Sequence, residues 1–236
     1  MTKSLLFSCF DCSSRNAGPL HDVPADLLTE FGQSRVTNIY KKGQTIFYEG
    51  NHPYGVYCIN EGKVKLFKST AEGKEYIVSI LKTGDILGYK AFFNDNSYIA
   101  TAQVLEDAVI CFIDKAKFFN LLKKYPSFSI KLLEIMSKEI NCSNHNSISL
   151  AYNSSNERII ELLLTLKESF GVQEDDGSIK INLLLSREDM ANMIGTTIET
   201  TVRLITWLKE KDIIKIKNKY FFIKDINKLL EMLPEQ

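Results

Sequence analysis

The sequence predicts an α+β chain: an N-terminal antiparallel β-roll, a long helix, and a C-terminal winged helix–turn–helix. Three observations carry this expectation. From about Val36 to Ile113 the chain is rich in Ile, Val, Tyr and Phe in short runs, and after Lys115 the apolar spacing changes to threes and fours. Gly43, Gly50, Gly62, Gly73, Gly84 and "NDNS" punctuate the first region at roughly even intervals. Near the end, "LSREDMANMIGTTIETTVRLITWLKEK" reads as two capped helices around a single glycine.

Taken in order, "QTIFYEG", "GVYCINEGKVKLFKS", "EYIVSIL" and "IATAQVLEDAVICFID" are the strands. Short, evenly spaced strands argue a barrel or jelly roll, and a doubly wound sheet is excluded because helices do not alternate with them. "KAKFFNLLKKYPSFSIKLLEIMSKEI" then places Phe118, Leu121, Leu122, Phe128, Leu132, Ile135, Met136 and Ile140 at helical spacing, with Pro126 suited to open the second helix. The pattern weakens in "NCSNHNSIS", where a helix continues only if a partner packs against Ile140, Ile148 and Leu150. "SSNE", Ser154 to Glu157, has capping-box spacing and opens a helix running to about Phe170, which puts a hinge near Tyr152–Ser155.

Ser186 is expected to cap "REDMANMI", Gly195 to make the turn, and Thr196 or Thr197 to cap "IETTVRLITWLKEK". Met190, Ile194, Val202 and Ile205 are expected to pack these two helices together. "IIKIKNKYFFI" supplies a β wing with an "NK" turn, and "IKDINKLLEML" a closing helix.

Bulk properties narrow the function. The 236 residues carry no net charge, but Arg203 to Lys224 holds seven cations against Glu210 and Asp212, with Trp207, Tyr220, Phe221 and Phe222 among them. A local basic stripe of this kind fits contact with phosphates. Five irregularly spaced cysteines are not a secreted disulfide framework. "LLFSCF" is too short for an export signal and no run reaches membrane-spanning length, so a cytoplasmic protein without membrane contact is expected. An enzyme is not expected. Cys9-x2-Cys12 precedes a proline-containing loop rather than the strand–helix context of a redox dithiol, and no Ser-His-Asp set or phosphate-cradling loop occurs.

The threonine-rich turn at Thr196, Thr197 and Thr200 is explained by groove entry. A reading helix approaches DNA by its first turn, which needs short polar residues against phosphates and one or two long ones at base edges. Glu199 and Arg203, four apart, point to one side; arginine suits guanine and glutamate accepts from cytosine. Ser186, Lys217 and Lys219 complete the expected DNA contacts.

On "KKGQTIFYEG", "EGKVKLF", "GDILGYKAF", "AQVLEDAVICFI", "NERIIELLLTL" and "LSREDMANMIGTTIETTVRLITWLKEKDII", the chain resembles the cyclic-AMP receptor / fumarate–nitrate regulator (CRP/FNR) superfamily of bacterial transcription factors from about residue 9 onward. The resemblance implies a cysteine-containing segment at 1–24, a cyclic-nucleotide-binding-like β-roll sensor domain at 25–125, a dimerisation helix and hinge at 126–153, and a winged helix–turn–helix DNA-binding domain at 154–236. It further implies a homodimer on a palindromic promoter, with Glu199 and Arg203 as base readers of a TGA-type half-site, and RNA polymerase as partner if the protein activates. Val202 stands where the fumarate–nitrate branch has serine, which leaves the outer half-site preference open.

The resemblance also bears on the signal. In the family's cyclic-AMP pocket, Tyr89 would stand in place of the ribose-binding glutamate and Ile99 in place of the phosphate-binding arginine. Loss of that charge-assisted contact argues against cyclic AMP. The corresponding effector pocket would comprise Gly84, Gly88, Tyr89, Lys90, Ile99 and Ala100. In the fumarate–nitrate branch four cysteines hold a [4Fe–4S] cluster; here Cys9, Cys12 and Cys111 match, and either Gly18 or His21 falls where the remaining cysteine belongs. An iron–sulfur cluster sensing oxygen or NO and completed by His21 or a carboxylate, thiol redox or haem-type gas sensing, and a small organic effector or none with vestigial cysteines all stay open. Cys111, Cys58 and Cys142 also fit as buried small hydrophobes.

Overall fold

The computed structural model describes Cys12, Gly18, residues 35–94 and residues 96–233. Cys9 and His21 lie outside these. The chain divides into two compact units, one reaching Ile140 and the other beginning at Asn141.

The first unit is a β-roll of β1 (Val36–Tyr40), β2 (Thr45–Phe47), β3 (Gly55–Ser69), β4 (Glu75–Lys82), β5 (Ile86–Leu87) and β6 (Thr101–Asp114). The sheet runs β1-β6-β3-β4, with β2 on β6 and β5 on β3. β3 and β6 are long and apolar on both faces because both faces are covered. Val56, Cys58, Cys111 and Ile113 point to one side, against Phe118 and Leu121 of α1 (Lys115–Lys124) and Phe128 and Leu132 of α2 (Pro126–Tyr152). Ile59, Val64, Val104 and Ile110 point to the other, into the roll with Phe47 and Tyr98. Each such fully buried side chain contributes about 1.5–3 kcal/mol. The break between α1 and α2 falls at Tyr125, whose φ of −130° is what a residue before proline adopts.

In the second unit α2 continues without interruption through "NCSNHNS" to Tyr152. Within the chain Ile148 and Leu150 are exposed, and the Ser149 hydroxyl and the Asn153 amide donate to the Glu161 carboxylate on α3 (Ser155–Phe170), the amide at 2.7 Å. The expected boundary at 153 therefore lies inside this unit. Ser154 caps α3 with a full capping box to Glu157, as its spacing predicts.

There follow a hairpin of β7 (Gly171–Gln173) and β8 (Ile179–Ile181), α4 (Arg187–Ile194), α5 (Ile198–Glu210), the wing strands β9 (Ile214–Lys217) and β10 (Tyr220–Ile223), and α6 (Ile226–Leu230). The β7–β8 hairpin was not expected: its strands are three residues long and its turn, "EDDG", reads as a helix stop. It joins the wing in one sheet, β7-β8-β10-β9. The wing turn at Asn218 and Lys219 has φ of 52° and 69°, the left-handed pair of a two-residue hairpin loop. Cys142 is a correction: it is exposed on α2, while Cys58 and Cys111 are buried.

Candidate nucleic-acid interface and effector cleft

α4 and α5 are set by their caps. Ser186 accepts from the Asp189 amide at 2.9 Å, and the Asp189 carboxylate accepts from the Ser186 amide at 3.1 Å. Gly195 ends α4 with φ 61° and ψ 49°, and its amide donates to the Ala191 carbonyl. Thr197, not Thr196, is the cap of α5, accepting from the Thr200 amide at 3.2 Å. Met190, Ile194 and Ile205 are buried between the helices, but Val202 is 45% exposed and packs neither. One residue of helical phase separates it from buried Thr201, which turns it outward beside Arg203.

The exposed face of α5 therefore carries Ile198, Glu199, Val202, Arg203 and Thr206. Glu199 finds its partners locally. Its own amide and the Thr197 hydroxyl hold its carboxyl below the usual range, so it is ionised at neutral pH. The Arg203 guanidinium has no hydrogen-bond or ion-pair partner among the described residues, so no Glu199–Arg203 bridge consumes it. Of the basic stripe, Lys215 and Lys224 are paired with Asp176 and Asp212. Lys217 and Lys219 stand exposed at the wing tip, unpaired among the described residues. Of the interleaved aromatics Phe221 and Phe222 are core, with the Arg187 guanidinium 4.8 Å over the Phe221 ring, while Trp207 and Tyr220 are half-buried.

The first unit holds a cleft that opens to solvent. Gly88, Tyr89, Lys90, Ile99 and Ala100 line it. Gly84 does not: it makes the tight turn before β5, with φ 98°, and a side chain on Gly18 would strike its carbonyl. Gly88 opens the short 3-10 helix Tyr89–Phe93 at φ 90°, with the Tyr98 ring 3.1 Å from where a Cβ would sit. The sequence reading missed Phe47, Leu66, Val78, Ser79, Leu81 and Glu139. The register slips where Leu66 faces Ser79 and Phe67 faces Ile77, so Val78 is an extra residue, and the bulge brings Val78 and Ser79 together on the cleft.

The cleft is mostly apolar, with its charge at one place. Among the described residues lining it, Lys90 is the only cation, and its Nζ lies 2.8 Å from Glu139 Oε2. The Tyr89 hydroxyl donates to the same oxygen at 3.1 Å. Burial first, then the Glu139 and Asp85 charges, push the Tyr89 phenol far up, so it stays a donor.

The expected metal ligands fare differently. Cys12 Sγ donates to Asn60 Oδ1 at 2.7 Å, and Cys111 Sγ lies 3.6 Å from Thr37 Oγ1, beside Cys58 across β3 and β6. Among the described residues no three His, Cys, Asp or Glu side chains gather to hold a metal ion. Two cysteines do not make the ligand set of a [4Fe–4S] cluster, so the described residues do not by themselves fit that group.

A β-roll with a cleft, joined to a capped helix–turn–helix with a wing, defines a class: regulators that pair a sensor domain with a DNA-binding one. Residues 37–125 match the cyclic nucleotide-binding domain and residues 157–232 the Crp-like helix-turn-helix domain, together more than two thirds of the chain. The chain belongs to the CRP/FNR superfamily, whose members are DNA-binding transcription regulators and not enzymes. The fumarate and nitrate reduction regulatory protein of Vibrio cholerae is 29% identical over 81% of this chain and 76% of its own. The anaerobic regulatory protein of Haemophilus influenzae is 28% identical over 81% and 74%. Among solved structures, FixK2 of Bradyrhizobium japonicum superposes with a TM-score of 0.75 at 19% identity, covering 86% of this chain and 98% of its own. A CooA mutant of Carboxydothermus hydrogenoformans gives 0.74 at 23%, covering 98% and 96%. At such identities the structural likeness is one of fold.

Proposed function

We propose that this chain acts as a homodimer on a palindromic promoter with TGA-type half-sites, and that an effector in the β-roll cleft sets its DNA affinity. The outward face of α5 carries the reading: an ionised Glu199 and an uncommitted Arg203 stand on one exposed side of a capped first turn. Thr196, Thr197, Thr200 and Ser186 serve phosphates near helix starts, and Lys217 and Lys219 do so from the wing. Exposed Val202 offers an apolar contact to a thymine methyl at the outer half-site. Ile130, Leu133 and Ile140 stand exposed along one face of α2, which supports dimerisation there. RNA polymerase joins as partner if the protein activates. No described helix is long and apolar enough to cross a membrane.

The test is a gel shift over a randomised half-site library. Arg203→Ala is expected to weaken binding by roughly 10- to 100-fold and relax preference at one base pair, as loss of a bidentate base contact does. Wild-type sequence preference in that variant would sink the reading of α5.

Cyclic AMP is not the expected effector, since among the described residues no arginine lines the cleft and Lys90 is already paired. A second reading has its own support. The names of the Vibrio and Haemophilus relatives speak of fumarate and nitrate reduction and of anaerobic regulation. On that reading a redox signal enters through Cys9, Cys12, Cys111 and His21. Purification without oxygen, with iron and sulfide assays and DNA affinity before and after air, tests it. An iron-free protein whose affinity ignores thiol oxidation would end it.

A further inference from the structure

The cleft has an apolar body and a polar end that is already occupied by one of the chain's own side chains. The walls are chiefly Phe47, Leu66, Val78, Leu81 and Ile99, with Ser79 and Tyr98 also on the lining. At the polar end a single oxygen, Glu139 Oε2, receives both Lys90 Nζ at 2.8 Å and the Tyr89 hydroxyl at 3.1 Å. Glu139 itself lines the cleft. It comes from α2, whereas both donors belong to the 3-10 helix of the roll. Its side chain is 32% exposed, so it reaches water by a rotamer change without disturbing the core.

Resting on the reading of this cleft as the effector site, we propose that its ligand is an organic carboxylate with an apolar tail, and that Glu139 is the built-in competitor for the ligand's headgroup. The ligand's carboxylate takes the place of the Glu139 carboxylate on Lys90 Nζ and the Tyr89 hydroxyl. Its tail fills the apolar walls. Glu139 meets both donors with a single oxygen, whereas a ligand carboxylate can give one oxygen to each and return Glu139 to water, a gain that no neutral headgroup makes. Among acids, burial of the tail then orders affinity. Each added methylene in contact with the walls raises it by about fourfold.

Other ligand classes fit less well. An organic cation would pair with Glu139 but would meet Lys90 beside it. A phosphate ester would bring two charges to one lysine. A neutral amphiphile would gain the walls but leave the Lys90–Glu139 pair standing, with nothing to offer it. Displacement also has a structural consequence. Glu139 is the only described residue of α2 lining the cleft, so a ligand that replaces it removes the hydrogen-bonded tie between the cleft's 3-10 helix and α2.

The experiment is titration calorimetry on the full chain with butyrate, hexanoate, octanoate, phenylacetate and, as neutral controls, octanol and octanamide. Octanoate is expected to bind at least tenfold tighter than octanol or octanamide, and affinity is expected to climb from butyrate to octanoate. Phenylacetate against octanoate tells an aromatic tail from an aliphatic one. Glu139→Gln keeps the shape and the hydrogen-bond acceptor but removes the competing charge, so it is expected to bind octanoate roughly tenfold tighter than wild type. Lys90→Met is expected to lose the preference for acid over alcohol while retaining octanol binding, which also reports that its roll is folded. Equal affinity for octanoate and octanol, or a Glu139→Gln variant no tighter than wild type, overturns the proposal while leaving an effector cleft in place. If none of the probes binds, the proposal falls. Cleft-blocking Ile99→Trp, read by DNA affinity in cell extract and in buffer, then decides whether the cleft is an effector site at all.

Discussion

Leu150, near the end of α2, reaches to within 2.7 Å of the point where a side chain on residue 195 would begin. The helix that enters the second unit thus lies against the turn between α4 and α5. Gly195 is required there chiefly by its left-handed backbone, since the Leu150 methyl is the far end of a flexible side chain. Gly195→Ala is expected to cost about 1–2 kcal/mol, and to lower the melting temperature by roughly 2–8 °C for a protein of this size. Adding Leu150→Ala relieves the contact but not the backbone, so a double variant that melts like wild type would show the assignment of strain to be wrong.

Arg158 ties the same region together from α3. Its Nε donates to the Ile194 carbonyl at 2.7 Å and its Nη1 to the Asn153 carbonyl at 2.6 Å, with Ser155 accepting a third bond. Arg158→Leu is expected to destabilise the chain by about 2–3 kcal/mol, since charged donors to carbonyls are the stronger hydrogen bonds. Arg158→Lys has one point donor for two carbonyls and is expected to recover about half. Urea unfolding checks both, through a shifted midpoint at constant slope.

The wing lysines make a different kind of prediction. Lys217→Ala and Lys219→Asn, the latter chosen because asparagine tolerates the left-handed turn, are each expected to lower the slope of log affinity against log salt by about 1. Base preference is expected not to move. A changed consensus in either variant would place the wing in a groove rather than on the backbone.

Dimerisation through α2 predicts that Ile140→Glu, which sets a charge on the exposed apolar face, weakens self-association at least tenfold (a minimum from the cost of burying an unpaired carboxylate). Sedimentation equilibrium reads it, and circular dichroism shows whether α2 survives. An unchanged dimer would move the interface elsewhere.

Burial, the largest influence on Asp85, pushes its carboxyl above the ordinary value of 3.8; the Lys82 amide and charge pull it back and Glu139 adds to the rise. The folded state thus holds the proton more tightly than the unfolded one. Below pH 3.8 both states are protonated, and as pH rises through the folded value wild type loses stability. Asp85→Asn, which keeps an acceptor for the Lys82 amide, is therefore expected to gain on wild type as pH rises above 3.8 through the folded value. Denaturation midpoints of the two proteins that stay parallel across that window would refute the shift.

Local signals in the sequence led directly to local structure. Ser154 with Glu157, Ser186, Gly195 and the Asn218–Lys219 turn each specify a geometry through their own backbone and nearest neighbours, and each is found where the pattern put it. Val202 shows the limit of that method: helical spacing groups it with Ile205, but the phase set by buried Thr201 and Leu204 turns it outward. Glu139 shows a deeper one. It meets Tyr89 across fifty positions of sequence, a contact that only the docking of α2 on the roll creates. The bulge at Val78 is of the same kind, since a register slip is a property of two strands and not of either sequence.

That bulge leaves the cleft walls unequal. Tyr89, Ala100 and Leu87 belong to the cores, and Gly88, at φ 90°, would be strained by any side chain. Val78 and Ile99, at 44% and 37% exposure, line the cleft without supporting either core. Descendants of this chain are therefore free to try new residues at those two positions while the roll beneath stays intact. One scaffold can in this way pass from one chemical signal to another without first having to refold.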